Sequence, residues 1–187
     1  MHRYPIELVR LTPPGVISGE ICSDITDDHL KKWRADWIPV ATSIDWDWEK
    51  IVNWARLYGG LAKQMYSVVA EGKLEGMMVL DTTQPARLPE HQGRDLVYVD
   101  FVATAPLNRR AAGEKRVFSG IGPILIRTAV EQSIDLGFKG RIGLHSLPDS
   151  EQFYAVHCGM IPMGKDAKKE NLTYYEMTED RAQRFLL

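Results

Sequence analysis

Leu96-Val-Tyr-Val-Asp-Phe-Val-Ala-Thr104 and, further on, Gly120-Ile-Gly-Pro123 are the stretches on which the reading of this chain turns. The first is nearly continuously apolar, the pattern of a strand buried on both faces near the middle of a sheet. The second opens a helix that reaches about Leu136, with Gly137 as its C-cap. Glycines at a helix start let backbone N–H groups close on an anion, and the helix dipole favours negative charge there. Pro123 suits the first helical turn, where its missing N–H costs nothing. Arg109, Arg110, Lys115 and Arg116 stand just upstream, placed to neutralise phosphates. Together these residues predict a site for a phosphorylated ligand.

Outward from this centre the chain reads as alternating strands and helices. Residues 4–12 alternate apolar and polar as an opening strand, and Ser23-Asp-Ile-Thr-Asp-Asp28 starts a helix ending near Trp37. Apolar residues at Ile51, Trp54, Ala55, Tyr58 and Leu61 give helical spacing between Asp45 and Met65. Five tryptophans, Trp33, Trp37, Trp46, Trp48 and Trp54, fall in these two segments. They pack helices onto a sheet or build an aromatic acceptor pocket. A hairpin follows, Tyr66–Ala70 and Leu74–Leu80 about Glu71-Gly72-Lys73, and then a loop over 81–95. Beyond the central helix come a strand at Arg141–Leu147, a short helix from Asp149 or Ser150 to about Val156, a strand at Leu172–Met177 and a helix from Glu179.

Composition bounds the rest. The 187 residues suit a single domain, 1–187, with 44% hydrophobic residues for one core. A net charge of -2 without a basic stripe argues against a nucleic-acid surface. No apolar run approaches the ~20 residues of a membrane span, and MHRYPIELVR lacks a signal-peptide core, so the expected location is the cytoplasm. Cys22 and Cys158 match no metal spacing; they are two thiols or one disulfide. A Rossmann nucleotide site needs a third glycine where Leu125 stands, and an acidic residue where the next strand ends His145-Ser146. No Gly-Lys-Ser/Thr follows for a Walker loop either.

The ordered set Phe101-Val-Ala-Thr-Ala-Pro106, Asn108-Arg109-Arg110, Gly120-Ile121-Gly122, Ile142–Leu147, Glu151-Gln-Phe-Tyr154 and Gly159-Met160 resembles the GNAT acetyltransferase superfamily over about 75 residues. The resemblance implies an α/β fold with a mixed, mostly antiparallel sheet of six to seven strands, flanked by helices and splayed at its centre. It implies acetyl-CoA as acyl donor, an amine as acceptor, no metal, and a monomer or homodimer. Val102, Ala103 and Thr104 would meet the pantetheine arm. Arg109, Arg110 and Arg116, with Val117, Phe118, Ser119, Gly120, Ile121, Gly122 and Pro123, would hold the pyrophosphate. Three features depart from the family pattern: Val117 replaces an Arg or Gln, the loop from Leu107 to Ser119 is longer, and Tyr154 lies five residues before Gly159 rather than four.

Direct attack requires a neutral amine, and a free amine of pKa ~10.4 is neutral in only about one part in 2,500 at pH 7. Asp100, set among apolar neighbours, is a candidate base whose pKa burial would raise, and His145 at the end of its strand is another. Tyr154 is the resemblance-implied acid for the departing thiolate. A backbone N–H at Val102–Thr104 would stabilise the oxyanion by about 2.7–4 kcal/mol. The alternative is a GNAT-like module that binds acyl-CoA as a sensor or assembly part, without turnover.

Overall fold

The structure, a computed structural model, describes residues 2–41, 46–109 and 116–187. In chain order it contains β1 (Arg3–Leu11), β2 (Pro14–Cys22), α1 (Asp27–Lys32), α2 (Trp48–Tyr58), β3 (Lys63–Ala70), β4 (Lys73–Pro85) and β5 (Asp95–Thr104). These are followed by β6 (Phe118–Ser119), α3 (Ile121–Asp135), β7 (Ile142–Ser146), β8 (Ile161–Asp166), β9 (Leu172–Met177) and α4 (Glu179–Leu186). The strands follow the order β6-β1-β2-β3-β4-β5-β7-β9-β8. Pairing is antiparallel at β1–β2, β1–β6, β2–β3, β7–β9 and β8–β9, and parallel between β5 and β7. An open, mostly antiparallel sheet with flanking helices is therefore the architecture, as expected, but with nine strands rather than six or seven.

The extra strands lie where turn residues mask extended chain. In β2, Gly19 has the look of a breaker, yet a Cβ there would lie 2.8 Å from Leu8 Cδ1 and 3.1 Å from the Val69 carbonyl. The glycine serves close strand packing. β4 runs on through Pro85, five residues into the expected loop, with Asp81 accepting from the Thr83 N–H at 2.9 Å. In β8, Gly164 at φ 89° sits in a register shift between Pro162 and Lys165.

Contacts divide the chain into two units, Met1–Val79 with Phe101–Leu125, and Leu80–Asp100 with Ile126–Leu187. The first unit has its core between α1, α2 and the strands: Ile25, Leu30, Trp33, Trp37, Trp48, Val52, Met77 and Val79 pack together. Three of the five tryptophans thus fill the core, and the Trp37 indole N–H donates to the Leu74 carbonyl at 2.9 Å. Trp46 is only partly buried, edge-on to Phe101 at 5.3 Å, and Trp54 is exposed beneath Lys63. Thr26 caps α1 by accepting from the His29 N–H, and Asp47 caps α2 by accepting from the Lys50 N–H. In the second unit Leu96, Tyr98, Tyr174 and Ala86 form a smaller cluster. Both cysteines are buried free thiols. Among the described residues no helix is long and apolar enough to cross a membrane.

Candidate active site

In the first unit, the start of α3 is held from three directions. Phe118 and Ser119 pair with Arg10 and Val9 of β1. The Phe118 N–H donates to Asn108 Oδ1 at 2.9 Å, and Asn108 Nδ2 donates to Glu75 Oε2 at 2.5 Å. Glu75 also accepts the Ala105 N–H at its backbone carbonyl, 2.9 Å away. Burial pushes the Glu75 carboxyl up to about 7, against the opposing bond from Asn108. Beneath the helix lies Gly76, where a Cβ would meet Ile121 Cγ2 at 2.9 Å and Leu125 Cδ1 at 3.0 Å. Only a bare backbone lets α3 approach β4 this closely.

Above that floor the helix start is open. Gly120 adopts φ 91°, a conformation costly for residues with a side chain, and among the described residues nothing lies within 4 Å of where its Cβ would be. Its carbonyl accepts from the Ile124 N–H at 3.0 Å, which leaves the N–H groups of Ile121 and Gly122 in the first turn without intrahelical carbonyls. The cations differ in their commitments. Arg109 Nε donates to the Thr104 carbonyl at 3.0 Å, tying it to the end of β5. Arg116 Nε is buried without a hydrogen-bond partner among the described residues. Arg110 and Lys115 lie outside the described residues. Among the described residues, a helix start with open space at Gly120 and a guanidinium nitrogen upstream without a partner fits a pyrophosphate.

In the second unit, β5 and β7 pair in parallel from Val97–Ile142 to Val99–Leu144, which sets Tyr98 beside His145. The Tyr98 hydroxyl is 2.7 Å from His145 Nδ1, and His145 Nε2 is 3.1 Å from Asp166 Oδ2. Arg87 donates to that same oxygen at 2.7 Å and lies over the Tyr174 ring. The hydrogen bond from Arg87, aided by the Lys168 N–H, holds the Asp166 carboxyl at about 2. An ionised carboxylate only accepts, so Nε2 carries the imidazole hydrogen and Nδ1 accepts from Tyr98. Burial lowers the His145 pKa from its ordinary value, with the Asp166 bond opposing, and burial raises that of Tyr98. Asp100, two residues beyond Tyr98, is half-buried. The sealed apolar setting expected for it is therefore not found.

Tyr154 sits apart from this group. Its ring lies 6.2 Å from Tyr175, whereas the His145 ring lies 5.0 Å from Tyr174. Successive residues of β9 point to opposite faces, so His145 and Tyr154 occupy opposite faces of the sheet. Tyr154 is 7% exposed, and burial together with the neighbouring Cys158 raises its phenol pKa. The Cys158 thiol is itself pushed up to about 12 by burial, which disfavours the thiolate a covalent acyl-cysteine would need.

No protein-family model and no curated protein matches the chain. Solved structures do. An N-acetyltransferase from Bacillus subtilis in complex with coenzyme A superposes with TM-score 0.58 at 14% identity, over 87% of this chain and 97% of the other. A GNAT-family acetyltransferase from Desulfovibrio desulfuricans gives 0.57 at 12% identity, over 86% and 99%. A histone acetyltransferase-related protein from Corynebacterium glutamicum gives 0.53 at 15%, over 83% and 93%. The fold is that of the GNAT acetyltransferases. Between Tyr154 and Gly159 the chain forms a π-turn, Phe153–His157. There the Cys158 N–H reaches back to the Phe153 carbonyl at 3.1 Å and the Met160 N–H to that of Tyr154 at 3.0 Å. The sequence alone does not single out Tyr98, Asp166, Arg87 or Glu75. For Tyr98 a signal existed, because it shares with Asp100 the polar alternation inside an apolar strand.

Proposed function

We propose that this chain transfers an acetyl group from acetyl-CoA to a primary amine of a small molecule or protein, by direct attack. The observation that carries the reading is the helix start at Gly120, with open space beside it and an Arg116 Nε upstream that has no hydrogen-bond partner among the described residues. Acetyl-CoA, the thioester substrate, supplies the acyl group. In this reading the N–H groups of Ile121 and Gly122, with Arg116, hold its pyrophosphate, and the backbone of Val102–Thr104 meets the pantetheine arm. Val117, Phe118 and Ser119 act by fixing that start rather than through side-chain contacts, and Arg109 braces the end of β5. His145, whose pKa burial lowers, takes up the amine proton directly or through a hydrogen-bonded neighbour, with Asp100 close by on β5. Tyr154 protonates the departing thiolate. The reaction calls for no metal, membrane or nucleic-acid partner and belongs in the cytoplasm, carried out by a monomer or homodimer.

One observation favours the second reading, a non-catalytic acyl-CoA sensor: the Tyr154 side chain is almost completely covered. Calorimetry with acetyl-CoA and product detection on a panel of primary amines separate the two. Enzyme function predicts binding, an acetylated amine, and loss of product in Tyr154→Phe. The sensor predicts binding alone. Absence of acetyl-CoA binding at millimolar ligand sinks both.

A further inference from the structure

We infer that Tyr98, His145 and Asp166 form a proton relay in which the Tyr98 hydroxyl, rather than the imidazole, receives the proton of the acceptor amine. The inference rests on the acyltransferase reading above and names the group that touches the acceptor. Both nitrogens of His145 are already engaged, Nδ1 by Tyr98 at 2.7 Å and Nε2 by Asp166 at 3.1 Å, and its side chain is only 3% exposed. An imidazole bonded at both ends has no free lone pair to offer a substrate. The Tyr98 oxygen, on a residue itself 8% exposed, does: it donates one hydrogen to Nδ1 and keeps acceptor capacity.

Proton balance follows the hydrogen bonds. As the amine nitrogen forms its bond to the acyl carbon, an N–H proton passes to the Tyr98 oxygen. The Tyr98 proton passes to His145 Nδ1, giving an imidazolium whose Nε2–H remains on Asp166. The phenol is regenerated in the same step, so no free phenolate builds up. The imidazolium then returns its proton to solvent. This is the logic of a hydroxyl–histidine–carboxylate triad with tyrosine in the hydroxyl position. Asp166 is a positioning residue. It fixes the tautomer and stabilises the imidazolium, and Arg87 on the same oxygen moderates that support.

The charges around His145 set the pH response. Asp166 of β8 favours the imidazolium; Arg87, following β4, and Lys169, in the β8–β9 turn, oppose it. Tyr98 of β5 and Tyr174 of β9 flank the ring without charge, while Asp100 and Asp81 act on the Tyr98 phenol.

The test follows thiol release from acetyl-CoA with tryptamine, spermidine and a lysine-containing peptide as probe amines, between pH 5 and 9, alongside calorimetry of acetyl-CoA. Tyr98→Phe is expected to lower kcat at least about 100-fold with the acetyl-CoA Kd unchanged, the usual scale of a lost general base. Asp166→Asn is expected to move the acidic limb of kcat/KM to lower pH and to lower its plateau. A Tyr98→Phe enzyme within threefold of wild type overturns the relay, as does an Asp166→Asn limb that does not move. Acetyl-CoA binding without thiol release for any probe overturns the relay and leaves the coenzyme A cradle standing. No acetyl-CoA binding overturns the parent reading with it.

Discussion

In the first unit the groups offered to a ligand belong to the backbone: the first-turn N–H groups of α3, over a floor where Gly76 lets the helix settle onto β4. In the second unit they belong to side chains, Tyr98, His145, Asp166 and Arg87, drawn from four separate stretches and joined by hydrogen bonds of 2.7–3.1 Å. Backbone donors do not titrate and tolerate most changes to neighbouring side chains. A side-chain chain of bonds responds to pH and fails at any link. The contrast teaches that binding and turnover in this protein should come apart under mutation.

The widest separation is expected from His145→Ala, which should lower kcat by about 100- to 10,000-fold while leaving the acetyl-CoA Kd within threefold. An equal loss in both quantities would erase the contrast. Next comes Glu75→Gln, which probes the support under the cradle. The Glu75 carboxyl lies above its ordinary value of 4.5, so its stabilising contribution is complete below about 4.5 and is lost as pH rises through about 7. Urea unfolding at pH 5 and pH 8.5 should show wild type losing up to about 3 kcal/mol over that span, and the glutamine variant little. Equal slopes in both proteins would remove Glu75 from the account.

Gly76→Ala should cost about 1–3 kcal/mol of stability, since its Cβ meets two buried side chains at 2.9 and 3.0 Å. It should also weaken acetyl-CoA binding by displacing the helix start; unchanged affinity would mean that α3 shifts without disturbing its first turn. Arg116→Ala carries the smallest effect. A Kd raised several-fold, more so at low salt, is expected with stability within about 0.5 kcal/mol of wild type. A Kd indifferent to both mutation and salt would assign the phosphates to other groups.

The same contrast explains what could be read in advance. Backbone features leave sequence traces: the apolar run of β5, Gly120 and Gly122 at the helix start, and Gly137 at its end follow from local rules. Glycines inside strands, one for close approach and one at a register shift, mislead those rules. Gly19 and Gly164 look like turns but lie within β2 and β8, so the strand count came out low. His145 was legible as a candidate base, yet its partners were not. Tyr98 meets it only through the Tyr98–Gly143 register of a parallel pair, and Asp166 only through the pairing of β8 with β9. The half-buried setting of Asp100 was not legible for a related reason, because strand residues alone do not say which face is covered.

The π-turn at Phe153–His157 has a further consequence. A helix widened by one residue can lose that residue and remain a helix, with ordinary α-type bonds replacing the wide ring. Excising Ala155 would draw Gly159 one position nearer to Tyr154 and turn the phenol about the helix axis. Two alignments of that hydroxyl thus lie a single codon apart.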